Sequence, residues 1–239
     1  MLYGIISDIH SNLEALEAVL ASLKVDQIIC LGDVVGYGPS PNECVERLRA
    51  LGIPMLAGNH EKALLGELST EWFNKNAKAA IDWTRQVISP ENQEFLKSLP
   101  ALAALADFVY VHGSLRDPVN EYILSLSEAL PSFELMKSSF CFVGHTHRPG
   151  YFARKKDGFY DTQTLRAGDE VLIDNFDRVI INPGSVGQPR DSDSRAAFGI
   201  YDDSLRIFSL QRVVYDIASV QAKMRAAQLP QGLIDRLAP

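Results

Sequence analysis

At 239 residues the chain is long enough for one large domain or two small ones. Its 46% hydrophobic and 22% charged content is that of an ordinary globular protein with ample core. A net charge of −7 argues against a general nucleic-acid or membrane-surface binder, so an anionic substrate would need local attraction such as bound cations.

In chain order, "YGIIS" reads as a buried strand. "SNLEALEAVLASL" follows as a helix, with Leu13, Leu16, Leu20 and Leu23 at helical spacing and Ser11 to Glu14 matching a capping box. A second strand, "QIICL", leads into "GDVVGYGPSPNE". There Ser40 and Glu43 match another capping box, Pro41 suits the first turn, and Gly52 closes the helix. A third strand, "IPMLA", runs into "GNHEK". This βαβαβ order predicts a parallel sheet with right-handed crossovers.

From Lys62 to about Ala106 the pattern turns helical, with Phe73, Ala77, Ala80, Ile81, Thr84 and Ile88 on one stripe. "SPENQEFLKSLP" adds a short capped helix. The segment reads as a helical insertion beside the sheet, favoured as scaffold, with a wall of the substrate cleft as the alternative. "DFVYVHG" and "SFCFVGHTH" are two more buried strands, separated by "SEALPSFELMKSS". Beyond residue 150 come the short strands "YFAR", "EVLID", "RVIINPG", "AAFGIYD" and "LRIFSLQRVVYD". The tail from Asp216 is helical, with Ile217, Val220 and Met224 on one face. With no linker or repeat, one domain over 1–239 built on two sheets is expected.

Cys30, Cys44 and Cys141 show no zinc-type spacing, and Cys30 and Cys141 lie in apolar runs. Buried free thiols, no apolar run of the ~20 residues that span a bilayer, and a strand starting at residue 2 lead us to expect a cytoplasmic protein without a signal peptide.

The polar residues carry the functional argument. All five histidines of the chain sit just beyond predicted strands, with two carboxylates and an amide. These are Asp8 and His10 in "SDIH", Asp33 in "GD", Asn59 and His60 in "GNH", His112 in "VHG", and His145 and His147 in "GHTH". Ligands of open α/β sheets bind at the carboxyl ends of strands, so segments far apart in sequence would converge on one rim. Structural histidines should scatter; these cluster. Carboxylate, imidazole and amide donors without thiolate suit Mn, Fe, Zn, Co or Ni. So many donors exceed one tetrahedral site and fit two divalent ions sharing a carboxylate, an arrangement used for displacement at phosphorus.

The order DxH, GD, GNH, H and GHxH resembles the calcineurin-like metallophosphoesterases, and with the later strands the resemblance covers nearly the whole chain. It implies an α/β fold, a two-sheet αββα sandwich whose second sheet takes the later strands. It implies one ion held by Asp8, His10 and His147, another by Asn59, His112 and His145, and Asp33 bridging them. His60 matches the non-ligand histidine that stabilises the transition state or protonates the leaving oxygen. "GDVVGYGPSPNE", "GNHEKAL" and "INPGSVGQPRD" look like a bacterial and archaeal branch of small phosphodiesterases. That implies hydrolysis of a small phosphate ester, nucleotides included, by a hydroxide bridging the ions. The alternative is asymmetric cleavage of dinucleoside tetraphosphates.

One departure stands out. The protein phosphatases of the superfamily carry an Asp-Arg pair after GD, where this chain has Val35, Gly36 and Tyr37. That argues against a phosphoprotein substrate and leaves His60 without its usual carboxylate partner. A non-catalytic metal-binding scaffold is disfavoured because no motif residue is missing. Arg190, after the "NPGSVGQP" turn, is a candidate substrate-phosphate contact, whereas Arg116 and Arg148 are expected to be surface or ion-pair residues.

Overall fold

A computed structural model of the protein describes residues 1–105 and 107–238. The chain begins with β1 (Leu2–Ile6), α1 (Leu13–Ser22), β2 (Gln27–Cys30) and α2 (Pro41–Leu51). Three helices follow, α3 (Asn59–Leu64), α4 (Lys75–Val87) and α5 (Pro90–Lys97). Next are β3 (Leu102–Ala104), β4 (Phe108–Val111), α6 (Leu126–Leu135) and β5 (Phe140–Phe142). The last part holds β6 (Gly150–Lys155), β7 (Tyr160–Thr164), β8 (Glu170–Leu172), β9 (Phe176–Asn182), β10 (Ala196–Asp202) and β11 (Ile207–Val213). Helices α7 (Ile217–Ala226) and α8 (Gln231–Arg236) end it.

Two sheets form, in the orders β2-β1-β10-β11-β8 and β3-β4-β5-β9-β6-β7. Strand alternation explains why they stack. On β5, Phe140 and Phe142 face the inter-sheet core while Cys141 faces out under α6. On β10, Tyr201 points inward and Ala196 and Phe198 pack outward with Leu16, Val19, Val45 and Leu48 of α1 and α2. The inner layer is aromatic: Phe108, Phe140, Phe142, Tyr201 and Phe208 meet at ring separations such as 4.9 Å for Phe140–Tyr201. Helices thus cover both outer faces of a two-sheet sandwich, the fold class expected. The three cysteines are free and buried. No helix among the described residues is long and apolar enough to cross a membrane.

Several local expectations are corrected. The later strands do not make up the second sheet alone: β8, β10 and β11 join β1 and β2 in the first. That sheet is therefore mixed, with β1–β2 its only parallel pair and β10 antiparallel to β1. The third predicted strand reduces to one bridge between Cys30 and Met55, after which Ala57 turns its N–H to Pro100. Asn12, not Ser11, caps α1, its amide oxygen accepting from Ala15 N at 3.1 Å. Ser40 precedes α2 without a side-chain cap bond. The helical insertion expected over 62–106 begins earlier, at Asn59, and ends as strand β3; Ala106 lies outside the described residues. β7 carries no alternating apolar signal, being largely exposed, and the tail expected to be helical from Asp216 divides into α7 and α8.

Candidate metal centre

The sandwich brings the strand-end loops to one rim, where hydrogen bonds lock them together. Asp8 N donates to Gly32 O at 3.0 Å and His10 N to Asp33 O at 2.9 Å, so the first loop lies along the second. Asp8 accepts from His145 N at 3.2 Å, and Asp33 Oδ1 from His60 N at 2.9 Å. Gly187 N donates to Asp8 O at 2.9 Å. The backbone is unusual there. Asp8, His10, Ser11, Asp33, Tyr37, His145 and His147 have positive φ, between 48° and 65°. For L-residues this left-handed region is disfavoured by roughly 1–2 kcal/mol each, and such strain concentrates at functional sites.

All seven expected donors converge, buried. Asp8, His10, Asp33 and His147 form one group and Asp33, His112 and His145 a second, with Asp33 common to both. In the first, His147 Nε2 lies 3.3 Å from Asp8 Oδ1 and 3.1 Å from His10 Nε2, which is 3.6 Å from Asp33 Oδ2. In the second, His112 Nε2 lies 3.3 Å from Asp33 Oδ2, 3.2 Å from His145 Nδ1 and 3.2 Å from Asn59 Oδ1.

The chemistry of these contacts tests whether a cation fits. His10 Nδ1 meets Val35 O at 3.1 Å, His112 Nδ1 meets Leu31 O at 3.1 Å, and His147 Nδ1 meets Gln188 O at 2.6 Å. His145 Nε2 meets Asn120 O at 3.2 Å. A carbonyl only accepts, so each of these nitrogens carries a ring proton, and wherever the ring is neutral the other nitrogen is a lone pair. As neutral imidazoles these rings would point lone pairs at each other, at two carboxylates and at an amide oxygen. Acceptors facing acceptors in a buried site repel, and a cation between them removes the conflict. The residues fit divalent metal.

The titration behaviour agrees. Burial pushes Asp8 up to about 7, with the Asp33 charge acting in the same direction. Burial also opposes ionisation of Asp33, but His112 and His60 outweigh it and hold Asp33 well below the usual carboxylate range. Burial drives His10 and His147 well below the ordinary imidazole value and His145 to about 3. Burial opposes the charge on His112 too, yet the Asp33 carboxylate lifts it to about 9. Without a cation, a proton on His112 balances Asp33; a metal ion supplies that balance more strongly.

His60 lies beside both groups but in neither. Its ring sits among Tyr37 at 4.5 Å, His10 at 4.7 Å and Phe73 at 5.4 Å, centroid to centroid. Its buried Nδ1 has no hydrogen-bond partner, and a side chain on Gly36 would collide with it. Aromatic packing, not a carboxylate, orients this ring. Through Phe73 the helical segment reaches His60, which favours the cleft-wall alternative over scaffold alone. Burial lowers His60 to about 4. Glu61 turns the other way, accepting from Asp33 N, Val35 N and Gly58 N at 2.8, 3.0 and 2.8 Å and tying the GD and GNH loops together. That brace went unread because adjacency to His60 says nothing of direction.

Arg190 reaches the rim. Its Nη2 donates to Gln188 Oε1 at 3.2 Å and Tyr37 Oη at 3.4 Å, while its buried Nε is unpartnered. Arg116 pairs with Glu121, and Arg148 is exposed, as expected of both. Tyr122 was not foreseen: its ring lies parallel to His145 at 3.7 Å. Nothing in "NEYILS" marks it, because the contact crosses between loops.

Fold and rim together define a metallophosphoesterase. The sequence profile of the calcineurin-like phosphoesterase superfamily domain matches residues 1–203, and the chain belongs to that family of phosphoric ester hydrolases. A crystallised metallophosphoesterase from Sphaerobacter thermophilus is 43% identical, with a TM-score of 0.90 over 100% of this chain and 98% of that one. An uncharacterised protein of Methanocaldococcus jannaschii is 38% identical over 98% of this chain and 96% of its own length. A hypothetical protein from Pyrococcus horikoshii, 18% identical, shares the fold at a TM-score of 0.80 over 99% and 97% of the two chains.

Proposed function

We propose that the chain is a two-metal phosphodiesterase acting on small, nucleotide-like phosphate esters. The observation that carries the reading is the set of buried ring nitrogens turned toward one another and toward the carboxylates, from His10 Nε2 to His147 Nε2 and from His112 Nε2 to His145 Nδ1. Asp8, His10 and His147 hold one divalent ion, Asn59, His112 and His145 the other, and Asp33 reaches both. Such ions supply the charge that polarises a phosphoryl group and acidifies water. Nitrogen and oxygen donors without thiolate are compatible with manganese as well as Fe, Zn, Co and Ni.

The remaining roles fall to the chain itself. Arg190 meets a non-bridging phosphoryl oxygen with the N–H groups its partners leave free. His60 donates a hydrogen bond to the departing ester oxygen. That role requires the proton of its neutral ring on the nitrogen facing the substrate. A pKa lowered to about 4 leaves no imidazolium near neutral pH, which favours a hydrogen-bond donor over a full proton donor. Three buried free thiols support a reducing compartment, the cytoplasm.

The test is a hydrolysis screen of phosphate monoesters, nucleotide diesters and dinucleoside tetraphosphates with each candidate ion and with chelator. Chelator-sensitive turnover, fastest on a diester, is expected. Preferential cleavage of the tetraphosphate would move the substrate to that class. Turnover indifferent to chelator would contradict the metal reading.

A further inference from the structure

Tyr122 has no place in the core, yet its position is tightly set. Its ring is stacked on His145 with an interplanar angle of 22°. Two residues earlier, Asn120 O takes the His145 Nε2 proton, and one residue later Ile123 is buried beneath α6. Both anchors hold the loop. On its polar end the hydroxyl lies near Arg190, whose Nη2 donates to Tyr37 Oη at 3.4 Å. One phenol, Tyr37, is buried against His10 and His60; the other, Tyr122, remains 41% exposed. Arg190 therefore lies between the two phenols, and Tyr122 covers the outer side of His145 with a partly open ring.

An exposed ring whose orientation is already fixed loses little entropy when a planar group stacks on it. The next two residues of the same loop, Ile123 and Leu124, line a cleft of about 340 Å³ together with Phe152, Gln163 and Arg148. We propose that Tyr122 is a specificity-determining residue whose open face receives a planar aromatic group, a nucleobase or aryl ring, carried by the ester. This rests on the phosphoesterase reading above. It makes the aromatic part of the substrate a binding element separate from the phosphoryl group.

The experiment titrates the metal-loaded protein with methylphosphonate, phenylphosphonate and thymidine 5′-monophosphate by calorimetry. It compares wild type, Tyr122→Phe and Tyr122→Leu, with metal content measured in each. Tyr122→Leu keeps an apolar cover over His145 but removes the aromatic face. It should weaken an aromatic ligand about tenfold, within the range for base stacking, and leave methylphosphonate unchanged. Tyr122→Phe should keep the wild-type preference. Loss on phenylphosphonate alone, or on the nucleotide alone, identifies which ring the site takes. For a nitrophenyl ester, Tyr122→Leu should raise KM and spare kcat. Equal weakening of all three ligands, or loss of a metal ion, would reduce Tyr122 to a brace for His145 and overturn the proposal, as would unchanged binding of all three. If wild type binds none of the three ligands and hydrolyses no phosphate ester, the phosphoesterase reading fails and takes this proposal with it.

Discussion

The inter-sheet core and the strand-end rim are built on opposite terms. In the core, Phe108, Phe140, Phe142, Tyr201 and Phe208 sit on regular strands and touch mainly one another. At the rim, a few residues beyond the ends of β1, β2, β4 and β5, carboxylates and imidazoles are just as buried, Asp8, His10, Asp33, His145 and His147 on a left-handed backbone. The core gains free energy from burial directly. The rim is arranged against local backbone preference, and a bound cation would offset that cost. Stability and function therefore separate by position along each strand, with the ordinary strand supporting the strained loop.

The sharpest way to break this division is Asp33→Asn, since Asp33 alone belongs to both donor groups. It should abolish turnover at micromolar metal and remove the stabilisation that added metal gives wild type, read by thermal unfolding with and without ions. Metal-dependent stabilisation equal to wild type would place the shared ligand elsewhere. An amide can still coordinate one ion, so weak binding at a single site is compatible with the account.

Next comes His60→Ala, which should keep both ions and the fold while lowering kcat by roughly 10²–10⁴-fold on alkyl esters. For a donor to the departing oxygen the loss should shrink on a nitrophenyl ester, whose leaving oxygen needs little stabilisation. A donor acting on non-bridging phosphoryl oxygens would instead cost similar amounts on both esters. Loss of an ion would make His60 a ligand.

Phe140→Ala probes the other region. Phe140 is fully buried between the sheets, so the substitution should lower stability by about 3–5 kcal/mol, measured by denaturant unfolding. Below its unfolding temperature the variant should retain wild-type metal content and kcat. Loss of metal in a folded Phe140→Ala protein would show that core and rim are not separable.

The smallest effect is expected at Ser11, which shares the rim's backbone strain with φ of 54° but has a buried hydroxyl without a partner and belongs to neither donor group. Ser11→Gly should stabilise the protein by about 1 kcal/mol or less, without change in metal affinity. Clear destabilisation would mean the left-handed loop carries no relievable strain.

The contrast between regions also accounts for what could be read from sequence. The histidines, carboxylates and Asn59 were legible because polar donors recur at one strand end after another, where purely structural residues would scatter. The buried strands β4, β5 and β10 were legible through apolar runs. Asn12 was missed as a cap because Ser11 and Glu14 fit a capping-box pattern, while the left-handed φ of Ser11 starts the helix one residue later. β3 was hidden by a helical context, and β7 by its exposure, which removes the alternation that marks a half-buried strand. The direction of Glu61 and the stacking of Tyr122 depend on loops meeting in space, and no local spacing encodes that.

The central claim is that the facing lone pairs of the rim are held apart by two divalent ions. Metal analysis of protein saturated with a candidate ion and freed of excess tests it most directly. The account predicts two equivalents per chain in wild type, falling toward one in His147→Ala. One equivalent or none in the wild-type protein, with each candidate ion tried, would contradict it.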